Sequence, residues 1–296
     1  MTRVEASIDA RKTLGEDFFG GWEESDVSLF AKYLRASAPV AGKITDFMGI
    51  RTSTFLHPWA QHYEQNVIDG IPIPDDSLRA EAIEYFATFE SLEASAPDTF
   101  KTAELGASYA PWTCVCAEMA RRTGRRNTLF VAVEASRYLY DLIPVHLEEN
   151  GFDSKSSAFQ LLHGAVGASR GTLYFPKVGS PGENGGQATA KDVEVDYVGR
   201  NIEHERVEAI PVSEILGSDI WDLVHIDVQG VEYDVLSAGM ETLNNNVRAF
   251  FIGTSAGSGA ADPVVLDAQR LHQLGLVQVA PVEHRLVGQR VAQPVE

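Results

Sequence analysis

The chain has 296 residues with 24 basic against 42 acidic side chains, a formal charge of −18, which excludes a surface built to follow a nucleic-acid backbone or an anionic membrane. With 44% hydrophobic and 9% aromatic residues, it can bury a real core and is not a disordered polymer. No apolar run reaches membrane-spanning length and MTRVEASIDARKTLGEDFF lacks the apolar stretch of a secretory signal, so the expectation is a cytoplasmic protein without nucleic-acid partners or membrane insertion.

Residues 7–37 place Leu14, Phe18, Phe19, Trp22, Val27, Phe30, Tyr33 and Leu34 at helical spacing and predict a helix. Residues 44–74, with Gly70, Pro72 and Pro74, read as irregular, and Asp75 or Asp76 suits the N-cap of a second helix through SLRAEAIEYFATFESLEAS. Residues 1–97 therefore predict a mainly helical leader or cap, ending near ASAPDTF, whose aromatics would pack on the core or on a second copy in a homo-oligomer.

From residue 98 to 296 the pattern changes to short apolar strands alternating with helices. Strands are predicted at 101–105, 128–134, 158–162, 221–227 and 247–253, and helices at 112–123, 137–149, 211–217, 231–243 and 262–274. Alternation of this kind predicts a doubly wound α/β fold, a mostly parallel Rossmann-like sheet covered on both faces. Pro144 predicts a kink or early break in its helix, and residues 177–190 read as a long Gly-rich loop, either a flexible lid or simply disordered. Cys114 and Cys116 are too few for a disulfide scaffold and wrongly spaced for structural zinc, so buried helix positions are expected.

Ligands of such folds bind at the carboxyl ends of the strands, where the strand order reverses. The first strand of the block runs into Glu104-Leu105-Gly106-Ala107-Ser108-Tyr109-Ala110-Pro111-Trp112. The glycine allows close backbone approach, but Ser108 stands where the dinucleotide fingerprint needs its second glycine, which disfavours pyrophosphate. Glu104 instead suits a cationic ligand. Glu134, followed by Ala135 and Ser136 at the end of the next strand, suits a ribose diol. His163-Gly164-Ala165-Val166-Gly167 offers small residues for a purine slot. In this order the three motifs describe an adenosyl ligand without phosphates, and S-adenosylmethionine fits. A solvated strand-end acid explains Glu104 or Glu134 singly, but poorly explains both.

Trp221-Asp222-Leu223-Val224-His225-Ile226-Asp227-Val228-Gln229-Gly230-Val231-Glu232 is the most specific string. It resembles the I-D-hydrophobic-E/Q-G-x-E element of the FkbM-type family of S-adenosylmethionine-dependent methyltransferases. ELGASYAPW is similar to that family's ELGAGWGPW-type turn, and VAVEASRYLYDLIPVHLEENGF with LLHGAVGASRGTLYFP resembles its next two strands. The likeness covers roughly residues 100–254, and the leader resembles that of some members more loosely.

The resemblance implies a class I methyltransferase sheet and methyl transfer to an oxygen, commonly a sugar hydroxyl of a glycan or glycosylated metabolite. It implies Glu104, Gly106, Ala107 and Ser108 as the cofactor turn, Glu134 at the ribose, Gly164 and Ala165 beside the adenine, and Asp227 as an acid at the reaction centre. Magnesium use by similar sugar methyltransferases implies Asp227 and Glu232 as metal candidates, although Glu232 equally suits bracing its helix. Some relatives end the fifth strand in T-H-S where this chain has Thr254-Ser255-Ala256, leaving the identity of any base open. His225 shares a strand face with Asp227 and reads either as that base or as a buried, hydrogen-bonded histidine. His57 and His62 are the leader's candidates for reaching the substrate face, against simple packing beside Pro58-Trp59. Two rival functions stand beside the enzyme: a catalytically silent subunit of the same fold that binds cofactor or glycan, and a nicotinamide-dependent dehydrogenase, which the missing glycine-rich phosphate turn disfavours.

Overall fold

The structure, a computed structural model, describes residues 24–57, 64–69, 82–180, 186–195, 201–229, 231–253 and 285–289. Most of the first predicted helix, the N-cap at Asp75 or Asp76, His62, Gly230, Thr254-Ser255-Ala256 and the helix predicted at 262–274 lie outside the described residues.

Five parallel strands form the centre of the molecule: β4 (Thr99–Leu105), β5 (Asn127–Glu134), β6 (Phe159–His163), β10 (Leu223–Ile226) and β11 (Ala249–Gly253). A sixth, β12 (Arg285–Gln289), pairs antiparallel with β11 at one edge, giving the order β12-β11-β10-β4-β5-β6. The chain fills one side of β4 with β5 and β6, then returns to its other side with β10. The order therefore reverses between β4 and β10, and ligands of open α/β sheets bind outside the carboxyl ends at such a point. This is the doubly wound, Rossmann-like sheet that the strand–helix alternation predicts.

Burial on both faces explains why the strands read as nearly continuous apolar runs. Along β5, Phe130 and Ala132 enter one apolar cluster while Val131 and Val133 enter the other, as the two-residue repeat of a strand requires. The first face is covered by α3 (Pro111–Thr123), α4 (Arg137–Glu149) and the leader helices α1 (Glu24–Ala31) and α2 (Ala82–Ala94); the second by α5 (Val212–Leu216) and α6 (Glu232–Asn246). α4 runs unbroken through Pro144, so no early break occurs. The proline removes one N–H, while Ser136 caps the helix by accepting from the Leu139 N–H at 3.3 Å, and Asn150 accepts from the Arg51 N–H beyond its end. Cys114 and Cys116 form no disulfide and are buried on α3, and burial pushes the Cys116 thiol up to about 12.

The leader is not wholly helical. It contains a small sheet of β1 (Lys43–Asp46), β2 (Arg51–Ser53) and β3 (Val67–Ile68), ordered β2-β1-β3. Asp46 shapes the β1–β2 turn, its Oδ1 accepting from the N–H groups of Met48 at 2.9 Å and Ile50 at 2.7 Å. A second small sheet, absent from the sequence reading, joins β7 (Ala165–Gly167), β9 (His204–Pro211) and β8 (Gly171–Pro176). Part of the Gly-rich loop is paired, because Tyr174 and Thr189 exchange backbone hydrogen bonds at 2.9 Å.

Leader and sheet share one core. Phe30, Tyr33, Phe47, Tyr85 and Phe89 belong to the same cluster as Phe100, Trp112, Met119 and Phe130. Charged contacts reinforce it: buried Glu118 on α3 accepts from Arg121 and Arg122, and the Arg122 guanidinium donates on to the Tyr33 and Met48 carbonyls of the leader. Phe89 is fully buried, 4.9 Å from the Phe30 ring and 4.3 Å from the Tyr33 ring. Phe89→Ala should therefore lower the stability of the whole chain by about 3–5 kcal/mol in a single cooperative transition. Urea unfolding followed by both tryptophan fluorescence and circular dichroism checks this, with coincident midpoints expected.

Candidate functional site

Four chain segments meet at the carboxyl edge beside the order reversal: the turn after β4, the ends of β5 and β6, and the end of β10. The first begins at Gly106, with φ of +83°. Its N–H and that of Ala107 both donate to the Val133 carbonyl, at 3.0 and 2.9 Å. A Cβ placed on Gly106 would sit 1.9 Å from the Asp227 carbonyl oxygen, so only glycine lets the two strand ends approach this closely. Ser108 and Ala110 also adopt left-handed backbone, at φ of +50° and +63°. The ELGAGWGPW-type turn that this segment resembles has glycine at both of these positions, as well as at that of Gly106. L-residues are disfavoured there by roughly 1–2 kcal/mol each, so the turn stores strain.

Glu134 ends β5 with 5% of its surface exposed. Its Oε2 accepts from the Ser108 N–H and its Oε1 from the Ser136 N–H, each at 2.7 Å. Burial pushes this carboxyl up to about 7; the backbone N–H groups of Ser136, Ser108 and Ala135 oppose that rise and the Glu104 charge adds to it. A carboxylate has about four acceptor positions, of which the Ser108 and Ser136 N–H groups take one each, with Ala135 adding a further backbone bond. Ala135 is buried and Ser136 is the cap of α4.

Glu104 departs from the sequence expectation of a carboxylate turned toward a cationic ligand. It lies against the amino end of α3, where Oε1 accepts from the Trp112 N–H at 3.1 Å. Oε2 accepts from the Thr113 N–H and hydroxyl at 2.7 and 2.6 Å. The first turn of a helix presents unpaired N–H groups and a positive dipole end, and Glu104 supplies the acceptor that the cap residue Ala110 lacks. Burial pushes it, too, up to about 7, while His225 and the Thr113 bonds pull the other way.

His225 is buried within β10, its ring stacked between Trp112 at 5.4 Å and Phe251 at 4.9 Å. Its Nε2 lies 3.2 Å from Glu84 Oε1 on leader helix α2, so the structure gives it the place of a buried, hydrogen-bonded strand histidine. Asp227 stands just past β10 and is half-buried, its Oδ1 accepting from Gln229 Nε2 at 2.8 Å. Glu232 is buried in the first turn of α6. Among the described residues no group of three or more His, Cys, Asp or Glu side chains is placed to hold a metal. The expectation of magnesium on Asp227 and Glu232 therefore finds no support there, one Asp227 oxygen being engaged by Gln229 and Glu232 being buried at 1% exposure.

Gly164 closes the β6 end, its N–H donating to the Glu134 carbonyl at 2.9 Å. A Cβ there would meet Ile210 Cδ1 at 2.5 Å, so close packing against β9 accounts for this glycine. Ala165 is buried and pairs with Ala209. His57 sits in the interior, its Nε2 2.9 Å from the Tyr109 hydroxyl. Sequence reasoning passed over Tyr109, although its place between the two glycine-like positions marked it.

The Methyltransferase FkbM domain matches residues 100–265. A protein of Jannaschia sp. (strain CCS1) named "Putative methyltransferase" is 24% identical over 216 residues, 72% of this chain and 76% of that protein. Among solved structures, the chain is similar to Methyltransferase FkbM from Methylobacillus flagellatus KT at 13% identity and a TM-score of 0.37. The overlap is 64% of this chain and 48% of that one, so this chain spans about half its length. It is also similar to precorrin-6y C5,15-methyltransferase from Geobacter metallireducens GS-15, at 12% identity and a TM-score of 0.36, over 73% of this chain and 91% of that one.

The turn makes opposite demands at neighbouring positions. Gly106→Ala drives a Cβ into backbone that cannot yield and should cost about 2–4 kcal/mol from strain plus overpacking. Ser108→Gly relieves a left-handed residue whose buried hydroxyl has no hydrogen-bond partner among the described residues and should add about 0.5–1 kcal/mol after the greater freedom of the unfolded chain is counted. Urea midpoints of the two variants should move to opposite sides of the parent.

Proposed function

Since this chain belongs to the FkbM methyltransferase family, whose domain covers residues 100–265, we propose that it is an S-adenosylmethionine-dependent O-methyltransferase acting on a hydroxyl of a sugar in a glycan or glycosylated metabolite. The observation that carries the cofactor reading is Glu134: a buried carboxylate at the strand end beside the central one, held by one backbone donor on each oxygen. Burial raises its pKa, and a vicinal diol would add two donors to those the backbone supplies. The residues therefore fit the ribose of an adenosyl group. The strained turn Gly106–Ala110 brings backbone to the same edge without the glycines of a pyrophosphate site.

When bound, S-adenosylmethionine supplies the activated methyl group. In this reading Glu134 fixes the ribose, and the turn from Gly106 to Ser108 fixes the adjoining part of the cofactor through backbone. Asp227, held by Gln229, would face the acceptor and take the proton of its hydroxyl as the methyl group passes to that oxygen and its bond to sulfur breaks. Holding the reacting atoms in line contributes much of the acceleration of a displacement, and proton removal from a weakly acidic alcohol contributes more. His225 enters as packing, because its ring is enclosed and its Nε2 faces Glu84. A strongly acidic chain suits a neutral polyhydroxyl acceptor better than a polyanionic one.

Calorimetric titration of the purified full chain with S-adenosylhomocysteine tests the reading. Binding in the micromolar range is expected, with Glu134→Ala weakening it by roughly 100-fold through loss of a charge-assisted bidentate contact; absence of binding to the parent chain sinks the proposal. Asp227→Asn should retain that binding and lose turnover in a screen of polyhydroxyl acceptors.

The same titration should depend on pH. Below about 7 Glu134 carries a proton in the ligand-free fold and one of its oxygens is a donor, whereas the diol needs both as acceptors. Affinity should rise as pH increases from 6 to 8, with proton release on binding, and Glu134→Gln should flatten the profile. Folding stability takes the opposite sign, because the folded state holds this proton more tightly than the unfolded chain and loses that advantage as pH rises through 7.

A further inference from the structure

We infer that Tyr109 is the anchor that holds the cofactor turn in its strained form, and that the leader, through His57, completes the socket that grips it. The inference rests on the reading of Gly106–Ala110 as the cofactor turn and adds a positioning role for residues outside it. Left-handed conformations of non-glycine residues persist only where the surroundings over-determine them. Here two of them, Ser108 and Ala110, flank a single side chain. That side chain is the one large side chain of the turn, buried at 4% exposure beside the small buried side chains of Ala107 and Ala110.

The Tyr109 ring stands edge-on to His57, with centroids 5.5 Å apart at 86°, and edge-on to His146, at 5.0 Å and 90°. Its hydroxyl meets His57 Nε2 at 2.9 Å. The two histidines come from separate segments. His57 closes the short 3-10 turn Thr54–Leu56 after β2, and His146 lies on α4. The segments are clipped together: the Arg51 N–H donates to Asn150 Oδ1 at 2.8 Å, the Asn150 amide donates to the Arg51 carbonyl at 2.9 Å, and the Ser53 hydroxyl donates to Glu149. On the turn's other side, the Ser108 N–H donates to Glu134. Withdrawal of Tyr109 would let Ser108 and Ala110 relax to right-handed backbone and carry that N–H away from the carboxylate. Docking of the leader and affinity for the cofactor are therefore coupled through one tyrosine.

The test is a set of variants of the full chain, each measured for S-adenosylhomocysteine affinity by calorimetry and for its urea midpoint. Tyr109→Phe, which deletes one hydroxyl and keeps the ring, should weaken binding by roughly three- to tenfold, the range of one net hydrogen bond. His57→Leu should do the same, His57→Gln should restore most of the loss, and combining Tyr109→Phe with His57→Leu should add little, since both break one contact. In a Ser108→Gly, Ala110→Gly background, where left-handed backbone costs nothing, the Tyr109→Phe penalty should shrink to less than about twofold. Variants that bind like the parent, a His57→Gln as damaging as His57→Leu, or a penalty unchanged in the glycine background overturn the inference. If His57→Leu does not fold, the Tyr109→Phe comparison in the two backgrounds decides alone. A parent chain that binds nothing refutes the cofactor reading instead. Hydrogen exchange over residues 106–112 of the ligand-free protein then decides the anchor: faster exchange in Tyr109→Phe supports it and unchanged exchange overturns it.

Discussion

At the point where β4 and β10 end, the backbone of Gly106 lies so close to the Asp227 carbonyl that no side chain can stand between them. The rest of the candidate site depends on that approach. It turns the chain sharply enough for the N–H groups of Gly106 and Ala107 to reach Val133 on the opposite neighbour, which ties three strand ends into one edge. It also sets the start of α3, whose first N–H groups fall to Glu104. Replacing this contact by a looser one would separate the turn from Asp227 at the end of β10, and Glu134 of β5 would lose the Ser108 donor.

The first face of the sheet shows how far the leader is built into this arrangement. Glu84 reaches His225 in the middle of the sheet, Trp112 lies between His225 and Tyr85, and Arg122 grips leader carbonyls from α3. Buried polar groups that are partnered in this way specify one arrangement, since an unpaired member costs the full desolvation of its group. Apolar packing supplies the attraction, and these few bonds supply the register.

The central strands and their helices were readable because each is an apolar run or a 3.6-residue pattern of adequate length, as in TLFVAVE or the α4 segment. The leader sheet was not, because strands of four, three and two residues are too short to show alternation; the Asp46 to Gly49 turn was their one local signal. Strand β9 escaped because its HERVEAIP opens on three consecutive polar residues, His204, Glu205 and Arg206, which leave too short an alternation to read, and because it follows a long loop. In the site, position along the strand was readable and direction was not. Glu104 and Glu134 each end a strand, yet one caps a helix and the other takes donors from two turns. That difference depends on which neighbouring N–H groups the fold leaves unpaired, and those are known only once the helices are placed. The left-handed backbone at Ser108 and Ala110 was visible only through the glycines that stand there in the resembled turn.

The separation in sequence between the leader and its partners carries a consequence for how the chain is made. Glu84 and His225 are 141 residues apart, and Phe251 stacks on that same histidine. During synthesis the leader therefore leaves the ribosome well before the strand that receives it, at roughly 5–20 residues per second. Its aromatics can meet one another early, as the Phe30, Tyr33, Phe47 and Phe89 rings do in the finished fold, but the socket for α2 does not exist until β10 and β11 have paired. Contacts so distant in sequence are made late and slowly. The leader is thus a waiting element, whose sheet-facing apolar surface stays uncovered for the whole of that interval and is open to aggregation or a chaperone.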